Sequence, residues 1–133
     1  MTVRVLVVDD EPDVETLFRQ QFRREVRQEL YTLDFALSAS AALASLDDAG
    51  GEKIILLVSD INMPGMSGLD LLPIVKIRRP DLPVFMISAY GDADTVATAL
   101  ERGADKFLTK PVVFSQLKRD IMAVIADATE RDG

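Results

Sequence analysis

Residues 54–68 read "IILLVSDINMPGMSG". The aliphatic run Ile54–Val58 has the composition of a strand buried on both faces. It closes on Ser59 and Asp60, and Asn62, Pro64, Gly65 and Gly68 then turn the chain at once. A carboxylate at the end of a buried strand needs partners, and the rest of the chain says where to look for them.

Upstream, Val3–Val8 is a second apolar, β-branched run that ends in Asp9, Asp10 and Glu11. Pro12 and the surrounding acidic residues suit the first turn of a helix. Val14, Leu17, Phe18 and Phe22 then recur at helical spacing, predicting one long helix over "DDEPDVETLFRQQFRREVRQE". Thr32–Ser38 alternates like a strand near a sheet edge. Ala39–Leu46 reads as a short helix, followed by the loop "DDAGGEK", and Lys53–Ser59 is the strand of the opening stretch. Downstream, Leu69–Arg79 reads as a helix in which Pro73 fits best if it lies in the first turn. Leu82–Ser88 is the fourth strand. Asp92 caps a helix with an apolar face of Ala93, Val96, Ala97 and Leu100, and Gly103 stands at its C′ position. Lys106–Thr109 is a short strand. A last helix carries Phe114, Leu117, Ile121, Val124 and Ile125 on one face.

A βα unit repeated five times predicts an α/β, doubly wound parallel sheet with helices on both faces and right-handed crossovers. The 133 residues, 48% of them apolar, suffice for one domain. We assign residues 1–127 to it, and 128–133 to a polar C-terminal tail or the start of a linker. That ending suits a stand-alone protein and a piece of a longer chain equally well. There is no apolar run of the roughly 18 residues that a membrane span needs and no signal-peptide pattern, so a cytoplasmic protein is expected. The net charge of −7 argues against direct nucleic-acid binding. The chain has no Cys and no His. Thiolate and imidazole metal sites, Cys nucleophiles and Ser-His-Asp chemistry are therefore excluded.

In an open parallel sheet the ligand site lies at the carboxyl ends of the strands. The residues predicted there are Asp9, Asp10 and Glu11, then Asp60 and Asn62, then Ser88, then Thr109, Lys110 and Pro111. Each alone has an ordinary reading: Asp9 and Asp10 as helix caps, Asp60 as a turn residue, Ser88 as a loop hydroxyl, Lys110 as a solvated charge. Together they form a convergent set. Three carboxylates in one place repel, and a hard cation relieves that repulsion; an all-oxygen ligand set favours Mg²⁺ or Mn²⁺.

The segments "VLVVDDEP", "VSDINMPGMSG", "MISA" and "ERGADKFLTKP" resemble the hallmark segments of the response-regulator receiver domain of two-component signal transduction. They occur in the family's order, and the resemblance covers Val3 to about Ala126. It implies a flavodoxin-like (βα)5 fold with strand order 2-1-3-4-5. It implies a phosphorylation-activated switch rather than an enzyme with a separate substrate. Asp60 would be the phosphoacceptor. Mg²⁺ would be held by Asp10, Asp60 and the backbone carbonyl of Asn62, with Asp9 acting indirectly. Lys110 and Ser88 would bind the phosphoryl group, and Ser88 and Phe107 would form the switch. Pro111 would follow a cis peptide bond.

The implied donor is a sensor histidine kinase or a histidine phosphotransfer protein. The readout surface would be about Asp92–Asp127, which could also support a phosphorylation-dependent homodimer. The stimulus, the cognate kinase and the output are not legible. Two other readings remain: a pseudo-receiver docking module that is never phosphorylated, and an aspartyl-nucleophile phosphatase. The latter wants a second Asp two residues after the nucleophile, where this chain has Asn62. The first-helix region and the "DDAGGEK" loop are longer than the family's usual pattern, and Ser88 replaces a commoner Thr. Tyr90 is a bulky residue close to the site.

Overall fold

The computed structural model describes residues 2–132, with side chains described to residue 128. Five parallel strands, β1 (Arg4–Val8), β2 (Thr32–Ala36), β3 (Ile54–Asp60), β4 (Val84–Ser88) and β5 (Lys106–Thr109), form one sheet in the order β2-β1-β3-β4-β5. The helices are α1 (Pro12–Gln21), α2 (Arg23–Arg27), α3 (Ala39–Asp47), α4 (Gly68–Arg78), α5 (Ala93–Glu101) and α6 (Phe114–Asp132). The doubly wound, flavodoxin-like order expected from the sequence is the one observed.

Strand alternation divides the core into two layers. Val5, Val7, Leu56, Val58, Phe85 and Ile87 point to the face covered by α1 and α6, where they meet Phe18, Phe22, Leu117 and Ile121. Leu6, Val8, Leu57, Val84 and Met86 point to the other face and meet Ala42, Leu46, Leu71, Leu72, Val75 and Ala99 from α3, α4 and α5. Val5, Leu6 and Leu57 are fully buried, each worth roughly 2 kcal/mol of transfer free energy. This double-sided burial is why β1 and β3 read as continuous apolar runs.

The sequence expectations needed correction at several points. The predicted first helix is two helices. The break falls at Phe22 (φ −105, ψ 12), whose ring stacks on Phe18 at 5.6 Å and is fully buried. Leu17, placed on the apolar face by spacing, is 42% exposed. The predicted face of α5 is rotated by one residue. Ala99 is the buried position, while Ala93, Ala97 and Leu100 face outward. A residue ending at Cβ lets α5 approach the sheet closely, which Leu100 in the same place would prevent.

Pro73 is not in the first turn of α4, because the helix starts five residues earlier, at Gly68. Proline has no N–H to donate to the carbonyl of Leu69, four residues back. That carbonyl instead accepts a 2.7 Å hydrogen bond from Arg102 Nη1 at the end of α5. The assignment of 128–133 to a polar tail or the start of a linker is not among these corrections: α6 runs on to Asp132, and Gly133 lies outside the described residues.

Candidate functional site

The chain leaves β1, travels outward to β2, and returns across β1 to β3. The switch point between β1 and β3 therefore opens a crevice at their carboxyl ends. Asp9 ends β1 on one side of it and Asp60 ends β3 on the other. The two lie nearly in register, since Val8 pairs with Ser59.

Asp60 is 4% exposed and both its oxygens are engaged. Oδ1 accepts the backbone N–H of Asn62 at 3.1 Å, and Oδ2 accepts the Lys110 ammonium at 2.9 Å. Gly68 makes this geometry compatible with the start of α4. A Cβ there would lie 2.3 Å from the Asp60 carbonyl oxygen, so only glycine lets the first turn of α4 rest against the strand end. Ser67 then caps α4, accepting from Asp70 N–H while Asp70 accepts from Ser67 N–H. The "SG" that closes the opening stretch is thus a cap followed by a close approach.

Asp9 is buried and does not cap α1. Its Oδ1 accepts the Glu11 N–H at 2.9 Å, and the N-cap position is Glu11 itself, with no side-chain cap. Burial pushes the Asp9 carboxyl up to about 6, against a countervailing hydrogen bond from Glu11; the neighbouring charge of Asp60 adds to the rise. Asp10 is partly exposed beside it. One oxygen each from Asp9, Asp10 and Asp60 lies within 4.8 Å of the others. That spacing and an all-carboxylate donor set fit a small hard dication such as Mg²⁺ or Mn²⁺. Asp9 is the more buried of the first two members and Asp10 the more open.

Ser88 ends β4 and is fully buried. Its Oγ accepts from Tyr90 N–H at 3.0 Å and from Asn62 Nδ2 at 3.3 Å. The second bond uses the Asn62 side chain, where the family resemblance implicates only its backbone carbonyl. Nothing in local sequence links two residues 26 positions apart; only the β3–β4 pairing brings them together. Tyr90 itself is 67% exposed at the rim.

Lys110 follows β5, its N–H bonded to the Ser88 carbonyl at 2.9 Å, and the Lys110–Pro111 peptide bond is cis. Burial alone would lower the pKa of the Lys110 ammonium. The hydrogen bond and charge of Asp60, with Asp9 and Glu11 behind it, outweigh that and leave it raised. Phe107 is half-buried on β5, three residues before Lys110, and packs against the α3–α5 layer of the core.

An apolar cleft of about 490 Å³ opens beside the carboxylates, walled by Val14, Leu17, Phe18, Val112 and Phe114, with Asp60 and Lys110 also in its lining. The two segments longer than usual lie at the opposite edge of the sheet. Residues 22–31 lead into the start of β2, and residues 48–53 into the start of β3.

Comparison with known proteins agrees with this geometry. The profile of the response regulator receiver domain matches residues 5–122. The chain is 38% identical over 115 residues to the response regulator protein PilR of Pseudomonas aeruginosa, covering 86% of this chain and 24% of PilR. It is 31% identical over 122 residues to the response regulator RppA of Synechocystis, covering 92% of this chain and 50% of RppA. The chain thus spans half or less of the length of these relatives. Among solved structures, a CheY-like receiver domain protein from Methanospirillum hungatei superposes with a TM-score of 0.84 at 27% identity, with both chains fully covered. TrrA from Thermotoga maritima, solved in complex with Mg²⁺-BeF, gives 0.75 at 28% identity, covering 92% of this chain and 99% of TrrA. From its β1–β3 crevice to its sequence relatives, the chain belongs to the response regulator receiver domain family of two-component systems.

Proposed function

We propose that this receiver domain is a switch set by phosphorylation of Asp60. The single observation that carries the reading is the environment of that carboxylate. It is buried, bonded to Lys110, and clustered with Asp9 and Asp10.

In the reaction, an Asp60 oxygen attacks the phosphorus of a phosphohistidine on a donor protein. The new O–P bond forms an acyl phosphate as the N–P bond breaks, and the departing imidazole takes up a proton. Asp10, Asp60 and the Asn62 carbonyl would hold Mg²⁺ or Mn²⁺, with Asp9 acting indirectly beside them, and the ion when bound neutralises phosphoryl charge. Lys110 transfers its ammonium from Asp60 Oδ2 to the phosphoryl oxygens. Ser88 is equipped to follow. Its oxygen accepts twice, while its own proton is donated to no other described residue, so it is available to a phosphoryl oxygen.

Movement of Ser88 and Lys110 would alter the packing of Phe107 and bias the α5–β5–α6 surface, about Asp92–Asp127. Leu100, 52% exposed, gives that surface an apolar contact for an output partner or a second copy. The donor is a sensor histidine kinase or a histidine phosphotransfer protein. The apolar cleft beside Asp60 and Lys110 offers it a foothold adjoining the reacting carboxylate. The domain catalyses its own phosphorylation and has no separate substrate, and we place it in the cytoplasm.

Intact-mass analysis after incubation with acetyl phosphate tests the reading. One phosphoryl adduct that requires Mg²⁺ and is absent in Asp60→Asn is the expected result. An adduct retained by folded Asp60→Asn refutes the site, and no adduct on the folded wild type refutes the switch.

A further inference from the structure

A second concavity, of about 560 Å³, lies at the far end of α1 from Asp60. It is lined by Gln20, Arg23, Arg24, Arg27, Gln28 and Lys118, among others, and contains no carboxylate in its wall. Residues 19–28 hold four arginines against one glutamate, net +3, in a chain whose net charge is −7.

The neighbouring cations are already engaged. Arg19 pairs with Glu15 at 2.9 Å and lies over the Phe35 ring. Lys118, from α6, pairs with Glu25 at 3.2 Å and lies over the Phe22 ring. Glu25 is thereby turned inward, its side chain 15% exposed. Arg23, Arg24 and Arg27 have no ion pair among the described residues, and all three are exposed. Like charges spaced three and four apart on a helix repel, and 21 of the chain's 22 acidic residues lie outside residues 19–28, where they were available to compensate them.

We propose that the concavity at Arg23, Arg24 and Arg27 is a docking site for an acidic segment of a partner protein. A planar guanidinium accepts a carboxylate through two parallel N–H bonds, and the flanking Gln20 and Gln28 amides add neutral donors. Arg23 and Arg27 are one helical turn apart, about 6 Å along the axis. The matching ligand carries carboxylates at the same repeat, as on one face of an acidic helix.

Charge complementarity favours this occupant over nucleic acid. The other end of α1, only about 15 Å away, presents Asp13 and Glu15 beside Asp10 and Glu11, and would repel a duplex lying along the helix. The site is remote from Asp60 and stands independently of the phosphorylation reading.

The probe is a fluorescent helical peptide of about 16 residues with glutamates spaced i,i+4, and its glutamine counterpart. Anisotropy and backbone amide shifts are recorded on the whole chain at about 50 and about 300 mM salt. The glutamate peptide should shift amides across residues 20–28 and near Lys118, and bind far more weakly at the higher salt. R23Q/R24Q/R27Q, with unchanged circular dichroism, should lose at least about tenfold in affinity, corresponding to about 1.4 kcal/mol. Its labelling by acetyl phosphate should be unaffected. Lys53→Gln, a charge change elsewhere, should bind as wild type. Equal binding of the two peptides, or full binding by the triple variant, overturns the proposal. Tighter binding of a short DNA duplex than of the peptide overturns it in favour of nucleic acid.

Discussion

Asp9→Asn should stabilise the metal-free protein at neutral pH while weakening its response to metal. Asp9 is 8% exposed, and burial together with Asp60 raises its pKa from 3.8 to about 6. A raised carboxylate pKa means that the folded state resists ionisation. The penalty is absent below about pH 4, grows as pH rises toward 6, and is complete above that. A shift of about 2 units corresponds to about 3 kcal/mol. Asparagine keeps an oxygen for the Glu11 N–H but accepts it less strongly than a carboxylate. The net gain at about pH 7.5 is therefore about 2 kcal/mol, or roughly 7 °C in Tm for a domain of this size. It should vanish near pH 4, where both proteins are neutral at this position. Urea titrations in chelator at both pH values give the numbers. Added Mg²⁺ should stabilise wild type more than the variant, because the cation removes the repulsion that the substitution has already relieved. A variant no more stable than wild type at pH 7.5, or equally favoured at both pH values, refutes the reasoning.

Three further outcomes follow from particular contacts. Arg102→Met should cost about 1 kcal/mol by replacing the Arg102–Leu69 hydrogen bond with water, and the cost should largely disappear in a Pro73→Ala background, where the residue 73 N–H is restored; a cost independent of Pro73 refutes the link. Glu29→Gly should raise stability by about 0.5 kcal/mol in urea, because Glu29 holds φ at 59, the left-handed C′ conformation that ends α2, where glycine is unstrained. Lys110→Ala should still accept phosphate from acetyl phosphate, with an initial rate lowered about tenfold or more. Hydrogen exchange over residues 92–109 should then no longer respond to phosphorylation, and a wild-type exchange change in the labelled variant would contradict the role given to Lys110.

The sheet was legible because each strand's burial is written into its own residues. Val5–Val8 and Leu56–Val58 are buried on both faces and therefore uniformly apolar, and the strand ends were correct to within two residues. The convergence of Asp9, Asp10, Asp60, Ser88 and Lys110 was legible for a related reason. In a parallel sheet every strand's carboxyl end lies on one edge, so position along each strand is enough to place its end residue. What periodicity could not supply was the rotation of a helix about its own axis. Val96 and Ala99, not Ala97 and Leu100, turn inward on α5, because the choice depends on how close the sheet lets the helix come.

Nor could local sequence show bonds made between elements. Asn62 reaches Ser88 across the β3–β4 pairing, and Arg102 reaches Leu69 across two helices. Both bonds matter for the same physical reason. Each satisfies or engages a polar group at the margin of the part that the proposed switch would move. Asn62 and Tyr90 hold the Ser88 oxygen without using its proton, and Arg102 ties the end of α5 to α4 through the carbonyl that Pro73 leaves free. A surface that responds to one added phosphoryl group needs restraints weak enough to be overcome by its charge, about −1.5 to −2 units. Single hydrogen bonds of about 1 kcal/mol, part-buried at Ser88 and exposed at Arg102, are restraints of that size, whereas the double-sided apolar packing of β1 and β3 is not. The division between what sequence made legible and what it concealed therefore follows the division between the sheet, packed on both faces, and the surface around Asp60 that the proposed switch would adjust.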